Sequence, residues 1–178
     1  MDRIAILGLG PVGVSIGLAL KGAGLEDTEI LGTDPDRRAM RAALEMEAID
    51  TSDGSLRNAM KGARLVIMDM PLSESKELLE AIGPILEEGT IVTDTGSAKT
   101  RVIEWAESHL PEGVSFIGGR PLPNRTMATA EDADASVFEG TRYCIIPSAS
   151  AKPEAVRTIV GLAQLLGAEP LFLDAGEY

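Results

Sequence analysis

Six residues near the start of the chain restrict its fold more than any other feature. They read Gly8-Leu9-Gly10-Pro11-Val12-Gly13. An apolar run, "RIAILG" (3–8), leads into them and reads as a buried strand. A helical pattern, "PVGVSIGLALKGAG" (11–24), leads out. Pro11 falls in the first helical turn, where a missing N–H costs nothing, and Gly24 falls at the stop. The glycines divide the work of a tight turn between strand and helix. Gly8 makes the turn, Gly10 lets the backbone approach an anion, and Gly13 lets the helix pack close to the strand. Gly17 extends the small face by one turn. The amides that follow Pro11, beginning with that of Val12, point at the place an anion would take. Asp34 stands 21 residues after Gly13, at the end of the next β-like run, "EILGTD" (29–34). That spacing suits a carboxylate that accepts hydrogen bonds from ribose hydroxyls. The plainer alternatives are a ligand-free strand–turn–helix and, for Asp34, a helix cap before "PDRR".

The rest of the chain repeats the alternation. Helical patterns cover 36–47, 56–63, 74–89 (broken late by Gly83-Pro84), 98–110 and 153–168. Strand-like runs cover 64–70, 90–94, 114–119, 142–147 and 170–174. Strands made of unbroken aliphatic residues are covered on both faces. Their alternation with helices predicts a doubly wound, mostly parallel α/β sheet with helices on both faces, the Rossmann-type dinucleotide-binding fold, in one domain over 1–178. Residues 120–138 read as a long polar connection with a helical turn around 130–138.

Composition narrows the partners. The net charge of -12 repels nucleic acid and anionic lipid, so an anionic ligand needs local devices to hold it. No apolar run approaches a membrane span, and the N-terminus does not read as a signal peptide. The single cysteine, Cys144, lies in an apolar run and reads as a buried small hydrophobe, which suits a cytoplasmic location. The single histidine, His109, falls at a predicted helix C-terminus. No His/Cys cluster has metal-ligand spacing, so no metal site is expected.

In a doubly wound sheet, ligands bind outside the carboxyl ends of the strands. Those ends carry Gly8 to Gly13, then Asp34, then Met70-Pro71, then Asp94-Thr95-Gly96-Ser97, then Gly118-Gly119-Arg120. Met70 and Pro71 would wall the far half of a dinucleotide. Ser97 and Arg120 would face the substrate. For Ser97 the competing role is a cap for the helix at Ala98, and for Arg120 a structural tie to the 120–138 connection. Lys99 and Arg101 are expected on a solvated face, as are Arg37 and Arg38, for which the alternative is stacking on adenine or contact with a 2′-phosphate. Asp34 favours NAD over NADP, because a carboxylate repels a 2′-phosphate.

Together these stretches resemble the prephenate and arogenate dehydrogenases of tyrosine biosynthesis. The carriers are "ILGLGPVGVSIGLALK", "LVIMDMP", "IVTDTGSAK", "GVSFIGGRP", "DADASVFEGTRYCIIP" and "LLGAEPLFLD". The resemblance implies an NAD-dependent oxidoreductase. It passes hydride from a ring hydroxyl to nicotinamide, with loss of CO2 from a carboxylate substrate. It assigns Gly8, Gly10, Gly13 and Asp34 to NAD and matches Ser97 to the family's active-site serine. The family's pattern reads Gly-Gly-His-Pro where this chain has Gly-Gly-Arg-Pro. A guanidinium does not take up a proton, so Arg120 would bind a carboxylate rather than act as a base. Family members continue into a helical dimerisation domain, and the resemblance implies that the 178 residues are the nucleotide-binding domain without it, as a fragment or as a reduced family member. A homodimer stays open. So do a dehydrogenase for another hydroxy acid and a non-catalytic NAD-binding module.

Overall fold

A computed structural model describes residues 2–176. Eight strands form one sheet: β1 (Asp2–Leu7), β2 (Thr28–Thr33), β3 (Thr51–Ser52), β4 (Ala63–Met68), β5 (Ile91–Asp94), β6 (Ser115–Pro121), β7 (Arg142–Pro147) and β8 (Glu169–Phe172). Six α-helices connect them: α1 (Pro11–Gly22), α2 (Arg37–Glu45), α3 (Leu56–Met60), α4 (Leu72–Ile82), α5 (Lys99–His109) and α6 (Pro153–Leu165). The strand order is β3-β2-β1-β4-β5-β6-β7-β8. Its first six strands have the order of a dinucleotide-binding sheet, with the chain reversing direction across the sheet between β1 and β4.

Alternation along the strands sorts the core into two layers. Ile6, Leu65, Ile67, Tyr143 and Ile145 pack with Val14, Ile16 and Leu20 of α1, Ala43 of α2 and Ile159 and Leu162 of α6. Ala5, Leu7, Val66, Met68, Cys144 and Ile146 pack on the other face with Met60 of α3, Leu78 and Leu79 of α4 and Val102 of α5. Every strand from β1 to β7 except the short β3 is therefore covered on both faces, as the aliphatic runs predict. Cys144 is buried, as expected.

Several details differ from the sequence reading. β3 is only two residues long and carries no periodic signal. Strand β6 runs on through Pro121, so Arg120 lies inside a strand rather than after one. It continues because β7 pairs with it antiparallel, Arg120 opposite Cys144 and Pro121 opposite Tyr143. This one antiparallel pairing is reached through residues 122–141. That connection holds two 3₁₀ turns, Ala130–Asp132 and Ala135–Phe138. It is polar only in part, because Val137 and Phe138 are buried in the layer that contains α1. α4 ends at Ile82, and Gly83–Ile85 form a 3₁₀ turn, since Pro84 has no N–H to continue the helix.

Candidate functional site

The carboxyl ends of β1, β2, β4, β5 and β6 lie along one edge of the sheet, and the predicted residues gather there. At the end of β1 the chain turns at Gly8 with φ 96°, a conformation that L side chains rarely adopt. A Cβ on Gly8 would sit 1.9 Å from the Asp69 carbonyl oxygen, and one on Gly13 would sit 2.4 Å from the Gly8 carbonyl oxygen. Both glycines are demanded by close approach of backbones. Gly17 does the same against Ala48.

Asp34 is half-buried directly after β2. Its Oδ2 accepts from the Leu9 amide at 2.8 Å, and its Oδ1 accepts from the Asp36 amide at 2.8 Å. It does not cap α2, because Asp36 does so by accepting from the Arg38 amide. Asp34 is thus pinned at the rim of the glycine turn. It lines a cleft of about 470 Å³ with Gly8, Thr33, Pro35, Leu56 and Met70. That cleft is largely apolar; Glu74 and Glu77 also line it, and Asp34 is the carboxylate fixed against the glycine turn, an arrangement that can accept an adenosine. Arg37 and Arg38 are both exposed.

Between the ends of β4 and β5 lies a smaller pocket of about 180 Å³, whose walls include Met70, Pro71, Ser75, Asp94 and Ser97. Three of the predicted residues therefore meet in one place. Ser97 is exposed, and Ala98 holds the cap position of α5 without a side-chain cap bond. The capping role for Ser97 is set aside. Pro11 and Val12 line a third depression, with Pro123 to Met127 on its other side.

Lys99 contradicts its expected solvated position. It is among the largest fully buried side chains, with 1% exposure. Its Nζ donates to Asp94 Oδ2 at 2.6 Å and to the Gly119 carbonyl oxygen. Asp94 also accepts from the amides of Gly119 and Gly96, each at 3.2 Å. Burial pushes the Lys99 ammonium down and the Asp94 carboxyl up, while their contact opposes both shifts. The two glycines before Arg120 make this possible. A Cβ on Gly118 would fall 3.2 Å from Lys99 Cδ. One on Gly119 would fall 2.6 Å from both the Thr93 and the Tyr143 hydroxyl oxygens. The "TDTGSAK" and "GGRP" stretches are therefore halves of one buried polar cluster. A lysine two residues past a strand-end serine looks like a helix surface residue, and only the Gly-Gly pair one strand away hints otherwise.

Arg120 is half-buried, and its positive charge acts on Lys99. His109 lies at the opposite end of α5, roughly 16 Å along the helix axis. There its Nε2 is 3.4 Å from Glu80 Oε1. It does not reach the strand ends.

Asp69, one residue past β4, was not legible as a site residue. Its Oδ2 accepts from the Gly13 amide at 2.7 Å, and its Oδ1 accepts from Thr95 Oγ1 at 2.6 Å. Among the described residues there is no group of His, Cys, Asp and Glu that could hold a metal, and no helix long and apolar enough to cross a membrane.

Known proteins share this fold. The chain superposes on prephenate dehydrogenase from Aquifex aeolicus, solved in complex with hydroxyphenyl propionate and NAD+. The TM-score is 0.90 at 21% identity, over 99% of this chain and 61% of that one. It superposes on arogenate dehydrogenase from Synechocystis with a TM-score of 0.87 at 23% identity, over 97% of this chain and 60% of that one. These likenesses establish the Rossmann-type fold. In sequence it is 33% identical to prephenate dehydrogenase of Lactococcus lactis, over 100% of this chain and 48% of the relative. It is 30% identical to that of Bacillus subtilis, over 90% of this chain and 43% of the relative. The chain thus spans about half the length of the curated relatives it matches. A family model described as "Prephenate dehydrogenase, nucleotide-binding domain" matches residues 16–171, which is most of the chain. The chain belongs to the family of prephenate dehydrogenase nucleotide-binding domains.

Proposed function

We propose that this chain binds NAD and serves an oxidoreductase of the prephenate or arogenate dehydrogenase type. The observation that carries the reading is the Gly8–Gly13 turn pinned to Asp34 at the β1/β4 crevice. Gly8 and Gly10 leave the close approach that a diphosphate needs, and the Val12 N–H stands at the start of α1. Asp34 accepts from the adenosine ribose and disfavours a 2′-phosphate. Met70 and Pro71 wall the nicotinamide half. When bound, the cofactor supplies a hydride acceptor.

The chain's own residues then order the substrate. Ser97 hydrogen-bonds the hydroxyl that is oxidised. Arg120 binds a substrate carboxylate, as a guanidinium fork does well. Asp94 and Lys99 act through Arg120 and Gly119, whose carbonyl Lys99 holds, so they are positioning residues. A small carboxylate is the substrate class. A second copy of the chain is a further candidate partner, supported by exposed Phe172 on the free edge strand β8. Sedimentation velocity tests that pairing. A cytoplasmic location fits a buried free cysteine.

Calorimetry with NAD, followed by assay of NADH formation on prephenate and arogenate, tests this reading. Asp34→Ala is expected to weaken NAD binding about tenfold, the worth of a lost charged hydrogen bond. Unchanged affinity would remove Asp34 from the cofactor site. A second reading has its own support. Arg120 stands at the substrate side, and the sole histidine is a helix length away. A non-catalytic NAD-binding module fits that pattern. Losing a general base typically costs about 10²–10⁴ in rate. Arg120→His is therefore expected to raise turnover if the chain is a dehydrogenase. NAD binding without turnover in either form favours the module, and turnover only on other hydroxy acids would redirect the substrate class.

A further inference from the structure

The start of α1 is already host to an anion from the chain itself. Pro11 has no N–H, and the Val14 amide bonds the Gly10 carbonyl within the first turn. The Gly13 amide is held by Asp69 Oδ2 at 2.7 Å. Among the described residues of this turn, only Gly10 and Val12 keep an uncommitted N–H at the helix start. The Asp69 carboxylate is also packed tightly against the glycines. A Cβ on Gly13 would lie 3.0 Å from Asp69 Oδ2, and one on Gly10 would lie 3.5 Å from it. The notch those glycines create therefore opens onto a carboxylate. No cation faces it. Thr95 Oγ1 meets it from the end of β5, Gly13 from α1, and the Asp34 carboxylate acts on it from the end of β2. Asp94, the next carboxylate along the edge, is turned to Lys99.

Building on the NAD reading above, we propose that Asp69 is a resident anion of the phosphate turn, so that the chain takes up its dinucleotide together with a proton. A diphosphate brought to the Val12 N–H arrives beside a fixed negative charge in a chain of net charge -12. Protonation removes that repulsion without dismantling the turn. The acid form keeps one oxygen to accept from Gly13 and gains an O–H donor. Burial supports the step by holding the Asp69 carboxyl above the usual carboxylate range, an effect that outweighs its two hydrogen bonds. Affinity for NAD then falls as pH rises through the Asp69 titration.

The test compares the chain with Asp69→Asn, an isosteric neutral change. NAD binding is measured by calorimetry at one pH in Hepes and in Tris, whose ionisation enthalpies differ, and then across pH 5.5 to 8.5. The native chain is expected to take up part of a proton per NAD. The variant is expected to take up less and to bind about tenfold tighter at the alkaline end, the effect of removing one nearby charge. Asp34 is present in both proteins, so the difference between the curves belongs to Asp69. The Gly13 amide resonance of the ligand-free chain gives a readout without cofactor. It should titrate above the usual carboxylate range in the native chain and stay still in the variant. Equal proton uptake, parallel curves, or a Gly13 resonance that ignores pH would overturn the proposal while leaving NAD binding intact. Weaker binding by the variant would do so too, and would make Asp69 a structural brace. If neither protein binds NAD at any pH, the cofactor reading itself fails.

Discussion

Lys99→Met will cost this fold about 3–5 kcal/mol, the usual cost of leaving one member of a buried ion pair without its partner. Methionine fills nearly the same volume beside Gly118, so the loss reports charge rather than a cavity. Asp94 would keep its amide donors from Gly96 and Gly119 but lose the Lys99 ammonium. The sign of the pH dependence follows. A carboxyl whose folded pKa lies above its unfolded value binds more protons in the native state. Stability then falls as pH rises from the unfolded value through the folded one. Acidification should therefore restore part of what the variant loses. Urea unfolding at pH 5 and pH 8 measures it. The double variant Asp94→Asn/Lys99→Met should be more stable than Lys99→Met alone. A Lys99→Met chain with native stability at pH 8 would show that the pair is not held in the dry state described.

Gly8→Ala is expected to be as damaging by a different route. The added methyl meets the Asp69 carbonyl at 1.9 Å, and φ at this position is 96°. The turn cannot relax freely, because the Gly8 amide donates to Thr33 and the Asp69 amide donates to Leu7 on either side. Strain of this kind together with a backbone shift costs on the order of 3 kcal/mol. NAD affinity should drop more than stability alone predicts, since the ends of β1 and β4 must separate at Asp69 to admit the methyl and the turn moves with them. Calorimetry on the folded fraction separates the two effects. Full NAD affinity in a well-folded Gly8→Ala chain would mean that the turn is not where the cofactor rests.

Much of the fold and the glycine turn is legible in the sequence. The glycine turn and Asp34 are close-range features, readable because backbone sterics alone dictate them. Strand identities were readable because double burial forces unbroken aliphatic runs. What escaped depended on contacts between distant segments. Lys99 sits in the first turn of a helix, where a lysine is ordinarily solvated, and its burial is licensed by glycines on another strand. Asp69 follows a strand like any polar residue at a strand end. Its meaning comes from Gly13, 56 positions away in sequence. The antiparallel pairing of β6 and β7 has no local signature at all, because the same apolar hexapeptide serves either direction.

That reversed strand gives the molecule a usable back side. Because β7 runs against its neighbour, its exit at Pro147 and the loop 148–152 lie at the amino-terminal edge of the sheet, where Ser148 bonds Phe116 and Lys152 bonds Ser115. Ala149 and Ser150 are exposed there, a sheet's depth from the glycine turn and from Arg120. A fluorophore or an immobilising linker attached at Ser150 would leave the ligand edge untouched. With Cys144 buried, a cysteine placed at Ser150 would be the one thiol among the described residues open to labelling under native conditions. The fold thus supplies its own anchoring point for the binding measurements that its other edge calls for.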